Sequence, residues 1–226
     1  MNTLPLLVFD VNETLLDIES LTPFFHRVLG SAEAMREWFA QLVLYSQSLT
    51  LSGQYAPFGV LGAEVLRMTA ATRHKTVRED DIAELGALVA AMPAWPEVPA
   101  ALEKLKLAGF RLFTLTNNPL STLSRQLEKA GLSGFFEKNF SVDPVGSFKP
   151  AQSVYHHVAN KLTAPPARLC LIACHTWDII GARSAGWDAA MVLRQGNALL
   201  WVGPQPGVVA ADLAGAAEKI IRFYQT

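Results

Sequence analysis

Apolar residues fall along this chain in short runs that stop abruptly at polar ones. Residues 4–9 form one such run and end at Asp10. Residues 110–115 end at Thr116, Asn117 and Asn118, and residues 169–173 end at Cys174, His175 and Thr176; residues 189–193 form a fourth. Runs of this length with a polar stop read as strands of a buried parallel sheet. Residues 99–108, 120–130, 151–162 and 176–185 carry helical patterns between them, and Gly131 and Gly186 close two of these. Strands alternating with helices predict an α/β fold built on a doubly wound, Rossmann-like parallel sheet.

Residues 20–92 break the alternation and look helical throughout, with candidate segments at 32–48, 58–72 and 79–91. Ser31 is placed to cap the first of these. Gly53 and Pro57 punctuate the block, and the stretch Pro93-Ala94-Trp95-Pro96 reads as its return hinge. The expected organisation is a core of residues 1–19 and 93–226 carrying an inserted helical cap of residues 20–92. The tail, residues 211–224, reads as an amphipathic helix.

Composition narrows the functional classes. Half of the 226 residues are hydrophobic and 17% are charged, which suits a large core and argues against disorder. With 19 basic and 20 acidic residues the formal charge is −1, so no global field attracts nucleic acid or anionic lipid. A small-molecule substrate is the expected partner. Cys170 and Cys174 sit four apart in an apolar run, too far along a strand for an easy disulfide, and read as buried thiols. There is no basic, apolar, small-residue leader and no run long enough to span a bilayer, so a cytoplasmic protein away from membranes is expected.

Ligands of open α/β sheets bind at the carboxyl ends of the strands. Three polar clusters fall there: Asp10 to Thr14, Thr116 to Asn118, and His175 to Asp178. Lys149-Pro150 opens a helix just before the third strand. One site would then collect carboxylates, a hydroxyl, amides, an ammonium and an imidazole.

Phe9-Asp10-Val11-Asn12-Glu13-Thr14 resembles the first motif of the haloacid dehalogenase superfamily, an Asp at a strand end followed four residues later by Thr. Thr116-Asn117 is similar to its second motif, Lys149-Pro150 to its third, and residues 173–178 to its fourth. Residues 141–150 and Trp177-Asp178 resemble the type II L-2-haloacid dehalogenases in particular, as does a small helical cap after the first motif. The resemblance implies that Asp10 attacks the halogen-bearing carbon of a 2-haloacid and that water then hydrolyses the resulting ester. Lys149 would keep Asp10 ionised, Thr14 would orient it, and Thr116 and Asn117 would donate to the substrate. Tyr155 matches a family tyrosine that supports the lysine. No metal or other cofactor is implied, and the resemblance suggests a homodimer, although nothing in the sequence demands one.

Several positions depart from the family. Asn12 stands where superfamily phosphatases carry a proton-donating Asp, which disfavours phosphoester hydrolysis but is compatible with halide departure. The familiar dehalogenases have Tyr-Gly at 12–13, replacements expected to alter how the substrate is seated. His175 replaces an Asn and Ala173 a Ser; His175, beside Asp178, is a candidate base for activating water. Phe39, after Trp38, occupies the position of the halide-binding Arg, while Arg36 points elsewhere on the helix. Trp38, Phe39, Tyr155 and Trp177 join Asn12, Thr116 and Asn117 as candidate substrate contacts. The alternative functions are a related hydrolase of another small substrate such as a phosphoester, which magnesium-dependent activity would favour, or a protein that binds a small anion or partner without turnover.

Overall fold

The computed structural model describes residues 4–225. Six strands form one wholly parallel sheet: β1 (Leu6–Phe9), β2 (Arg111–Thr116), β3 (Lys138–Ser141), β4 (Leu169–Ala173), β5 (Asp188–Val192) and β6 (Val208–Ala210). Their order across the sheet is β3-β2-β1-β4-β5-β6. Strand β1 is flanked by β2 and β4, with Phe9 beside Thr114 and Ile172. Every residue of β1 and β4 is buried, as their unbroken apolar runs require. The sheet order reverses at β1, so the crevice beyond its carboxyl end is where such a fold places a ligand.

Helices α1 (Thr22–Leu29), α2 (Ala34–Leu51), α3 (Phe58–Thr72) and α4 (Glu79–Ala90) fill the interval after β1. The outgoing and returning chains pair there: Asp17 N donates to Pro93 O at 2.8 Å, and Trp95 N to Leu15 O at 3.0 Å. The helices α5 (Val98–Leu107), α6 (Leu120–Lys129), α7 (Gln152–Lys161), α8 (Thr176–Ser184) and α9 (Leu213–Gln225) cover the sheet. Ser31 does not cap α2. That helix starts at Ala34 without a side-chain cap, and the Ser31 hydroxyl turns to the Glu33 carboxylate instead. Cys170 and Cys174 are free and buried. No helix among the described residues is long and apolar enough to cross a membrane.

Candidate active site

Asp10 follows directly on β1, and its backbone N–H is fixed to Ile172 O at 3.0 Å. The turn brings Thr14 back beneath it. The Thr14 hydroxyl donates to Asp10 Oδ2 at 2.7 Å and accepts from Cys174 N at 3.0 Å, so it orients the carboxylate from one side only. Arg194 grips the same turn through Thr14 O, at 2.8 and 3.2 Å.

Lys149 is 1% exposed and its ammonium lies between two carboxylates, 2.8 Å from Asp10 Oδ1 and 2.6 Å from Asp178 Oδ2. A third bond, 3.1 Å to Leu115 O, satisfies its remaining proton. Burial pushes the Asp10 carboxyl up, but Lys149 and then His175 outweigh it and hold Asp10 well below the usual carboxylate range. Burial lowers the Lys149 ammonium in turn, and the two carboxylates more than reverse that. Burial raises the Asp178 carboxyl, an effect that Lys149 opposes and the nearby Asp10 charge reinforces.

Tyr155 supports Lys149 through Asp178 rather than directly. Its hydroxyl donates to Asp178 Oδ1 at 2.5 Å, and its ring is fully buried away from the cavity that Asp10 opens into. Tyr155 is therefore a brace behind the carboxylates and lies out of reach of a substrate.

His175 also has a different carboxylate partner from the one its neighbour in sequence suggests. As the residue preceding α8, it points toward the β1 turn, whereas Asp178, one turn into the helix, faces Lys149 and Tyr155. Nε2 of His175 is 2.7 Å from Glu13 Oε2, and its Nδ1 lies 3.3 Å from Asp10 Oδ2 without the alignment of a hydrogen bond. Burial would lower the imidazole, but Cys174, Asp10 and Glu13 raise it well above its ordinary value. Burial keeps the Cys174 thiol protonated, so the two carboxylates carry the charge that matters. Trp177 stacks on the imidazole, ring centres 4.9 Å apart at 17°.

Glu13 is the residue that motif reasoning left without a role. It is 1% exposed, and its second oxygen accepts from Arg36 of α2 and, at 2.8 Å, from Asn197. Burial pushes its carboxyl up, yet His175 and Arg36 bring it below its ordinary value. Its backbone has φ 66°, a left-handed conformation suited to glycine. Arg36 also bridges Glu19 and Gln195 O and is thus committed to this network.

Asn12 turns its side chain away from Asp10: its Oδ1 accepts from Gln126 Nε2 at 2.9 Å. Thr116 Oγ1 accepts from Asn118 N at 3.1 Å, and Asn117 Oδ1 from Lys149 N at 3.1 Å. Asn12, Thr116, Asn117, Phe39 and Trp177 all line a tight cavity of about 10 Å³ with Asp10 and His175. Trp38 lies outside it; its indole N–H donates to Gly62 O at 2.8 Å within the helical insert. Among the described residues, only Asp10, Cys174 and His175 gather enough ligand atoms for a metal ion. One carboxylate, one protonated thiol and one imidazole do not match the all-oxygen shell that magnesium prefers, and the Lys149 ammonium already lies between Asp10 and Asp178.

The family model for haloacid dehalogenase-like hydrolases matches residues 4–186. The chain belongs to that family. This hydrolase is 31% identical to (S)-2-haloacid dehalogenase 4A of Burkholderia cepacia over 192 residues, 84% of this chain and 83% of that protein. It is 27% identical to (S)-2-haloacid dehalogenase H-109 of Pseudomonas putida over 95% of this chain and 97% of the relative. The L-2-haloacid dehalogenase structure from Xanthobacter autotrophicus shares the fold, with a TM-score of 0.89, 24% identity, and coverage of 96% of this chain and 98% of that one.

Proposed function

We propose that this hydrolase removes halide from a small (S)-2-haloacid or haloacetate through an ester on Asp10, releasing the 2-hydroxy acid. The observation that carries the reading is the state of Asp10: a buried carboxylate kept ionised by Lys149 and oriented by Thr14, with the amide Asn12, bonded to Gln126, where a phosphatase would carry the Asp that protonates an alcohol leaving group. Halide needs no proton to depart, so this arrangement suits carbon–halide bonds better than phosphoesters. The (S)-2-haloacid dehalogenases among its relatives support the same substrate class.

In the first step an Asp10 oxygen bonds to C2 and the halide leaves with the C–X electron pair. Asn117, whose oxygen is held by Lys149 N, has its amide N–H groups left to donate to the substrate carboxylate, together with the Thr116 hydroxyl. Ester formation neutralises Asp10 and so removes one of the two carboxylates that keep His175 protonated. The Nδ1 proton then passes to solvent, while Glu13, an acceptor only, keeps the remaining proton on Nε2 and leaves Nδ1, next to Asp10, as the base. Water then adds to the Asp10 carbonyl carbon as Nδ1 takes its proton. The bond between the Asp10 carbonyl carbon and the substrate oxygen breaks, Nδ1 gives its proton to the alkoxide to form the 2-hydroxy acid, and the Asp10 carboxyl ionises, returning a proton to Nδ1. The reaction requires no metal, because Lys149 supplies the cation.

Halide release from chloroacetate and both 2-chloropropionate enantiomers, measured by ion chromatography, tests the reading. Release that favours the (S) enantiomer, persists in EDTA and disappears in Asp10→Asn is expected. Absence of release, with magnesium-dependent phosphate release from a phosphoester panel, would overturn it.

A further inference from the structure

A second and much larger cavity, of about 390 Å³, lies between α2, α3, α4 and the start of α6. It shares Asn12, Phe39 and Phe58 with the tight cavity at Asp10, so the two spaces meet at those three side chains. Its walls are predominantly apolar, and Gly59, Gly62, Ala83 and Gly86 keep them wide. At the inner end, the Asn12 oxygen is already bonded to Gln126 and Asn118.

Phe39 is the decisive wall. Its ring lies 5.6 Å from the His175 ring on one side and 6.4 Å from Trp38 on the other. An arginine at position 39 would set a buried charge between the spaces; phenylalanine makes the partition apolar and movable by side-chain rotation. The Asp10 cavity, at about 10 Å³, holds about one water, whereas the larger one, at about 390 Å³, has room for a medium-length alkyl chain.

We propose that this larger cavity is the subsite for the apolar tail of the substrate, so that the enzyme prefers 2-haloacids with a medium-length alkyl chain at C2. This rests on the dehalogenation reading above. The carboxylate and the reacting carbon stay at Asn117 and Asp10, and the tail passes Phe39 into the space between the helices.

The test uses (S)-2-bromoalkanoates from propionate to decanoate for halide release, and the unhalogenated alkanoates of the same lengths for calorimetric binding. Each added methylene is expected to raise kcat/KM, and to tighten alkanoate binding, by about two- to fourfold until the cavity is full. Gly86→Leu projects into open space, since a Cβ there meets nothing within 4 Å, and should flatten both series. Flat length dependence alongside bromopropionate turnover would make the cavity a passage only and overturn the proposal. A length gain that survives in Gly86→Leu would place the tail elsewhere and overturn it equally. Length-dependent alkanoate binding without halide release from any substrate would support the subsite and refute dehalogenation.

Discussion

Glu13 and His175, 162 positions apart in sequence, meet at 2.7 Å in a pocket where both are almost wholly buried. Their pairing needs Glu13 in left-handed backbone at φ 66°, a conformation that costs a non-glycine residue about 1–2 kcal/mol. The familiar dehalogenases place glycine there, where the turn is free of that cost. In this chain the bonds to His175, Arg36 and Asn197 offset it. A carboxylate held in strained backbone against a histidine at the nucleophile points to work in the reaction rather than in folding.

Glu13→Gln keeps the shape but removes the charge and lets an amide N–H face Nε2, which favours the wrong tautomer. Steady-state turnover should fall about 10²- to 10³-fold, within the range for a lost general base. The first half-reaction should survive, giving a burst of one halide per active site and an ester on the Asp10 peptide detectable by mass spectrometry. If halide release and ester hydrolysis slow equally and no adduct appears, Glu13 has no special part in the second step.

The two steps should also separate with pH. Asp10 lies below its ordinary value of 3.8, so single-turnover halide release should stay level down to about pH 4. Ester hydrolysis needs neutral imidazole, so steady-state kcat should climb as pH rises, and His175→Asn should abolish that limb. Stability runs the other way. His175 is raised in the folded free enzyme, so its contribution is complete below its unfolded value of about 6.5 and fades as pH rises through the folded one. Urea unfolding should therefore show a gap between wild type and His175→Asn that narrows as pH rises above about 6.5; an unchanged gap would mean the imidazole is neutral in the free enzyme.

Lys149→Met removes the cation shared by Asp10 and Asp178 and leaves two buried carboxylates facing each other. Breaking a buried pair in this way costs about 3–5 kcal/mol. The Asp10 carboxyl should rise with it, so activity should be lost at neutral pH as well. Because protonation relieves the repulsion, the stability deficit in denaturant should shrink as pH is lowered toward the carboxylate range. A deficit that is independent of pH would assign it to packing alone.

Much of this architecture was legible in the chain because burial on both faces leaves a simple trace. The runs that became β1 and β4 are uniformly apolar and those of β2 and β5 largely so, and the polar stops after β1, β2 and β4 became the site. Strand β3 begins with exposed Lys138 and half-buried Asn139, and β6 has three residues, so neither carries that trace. Helix α1 was absorbed into a generally helical stretch, with Pro23 at its start and Gly30 at φ 78° closing it. Within the site, the motif residues Asp10, Thr14, Lys149 and Asp178 converge as their order suggests. The partner of His175 was hidden because proximity in sequence favoured Asp178, whereas the start of α8 turns the two side chains in different directions. The clue was the coincidence of an unusual Glu13 and an unusual His175 in one sequence.

The tightest packing behind the site falls at Gly181 of α8. A Cβ built there would lie 2.5 Å from the Tyr155 hydroxyl and 2.6 Å from Pro150 Cβ, both well inside van der Waals contact. Alanine would gain up to about 1 kcal/mol in helix propensity. Against this, overpacking a fixed core costs about 1–3 kcal/mol, and neither neighbour is free to yield. Pro150 is tethered to Lys149, and Tyr155 is buried and bonded to Asp178. The clash should therefore win, and Gly181→Ala should be net destabilising by about 1–2 kcal/mol in denaturant unfolding. Relief by moving Tyr155 would loosen Asp178 and with it Lys149, so kcat should fall while KM changes little. Tyr155→Phe in the Gly181→Ala background removes the closest contact and should recover part of the stability without recovering kcat. Unchanged stability and turnover in Gly181→Ala would show that α8 can shift as a body and that Tyr155 does not brace the carboxylates.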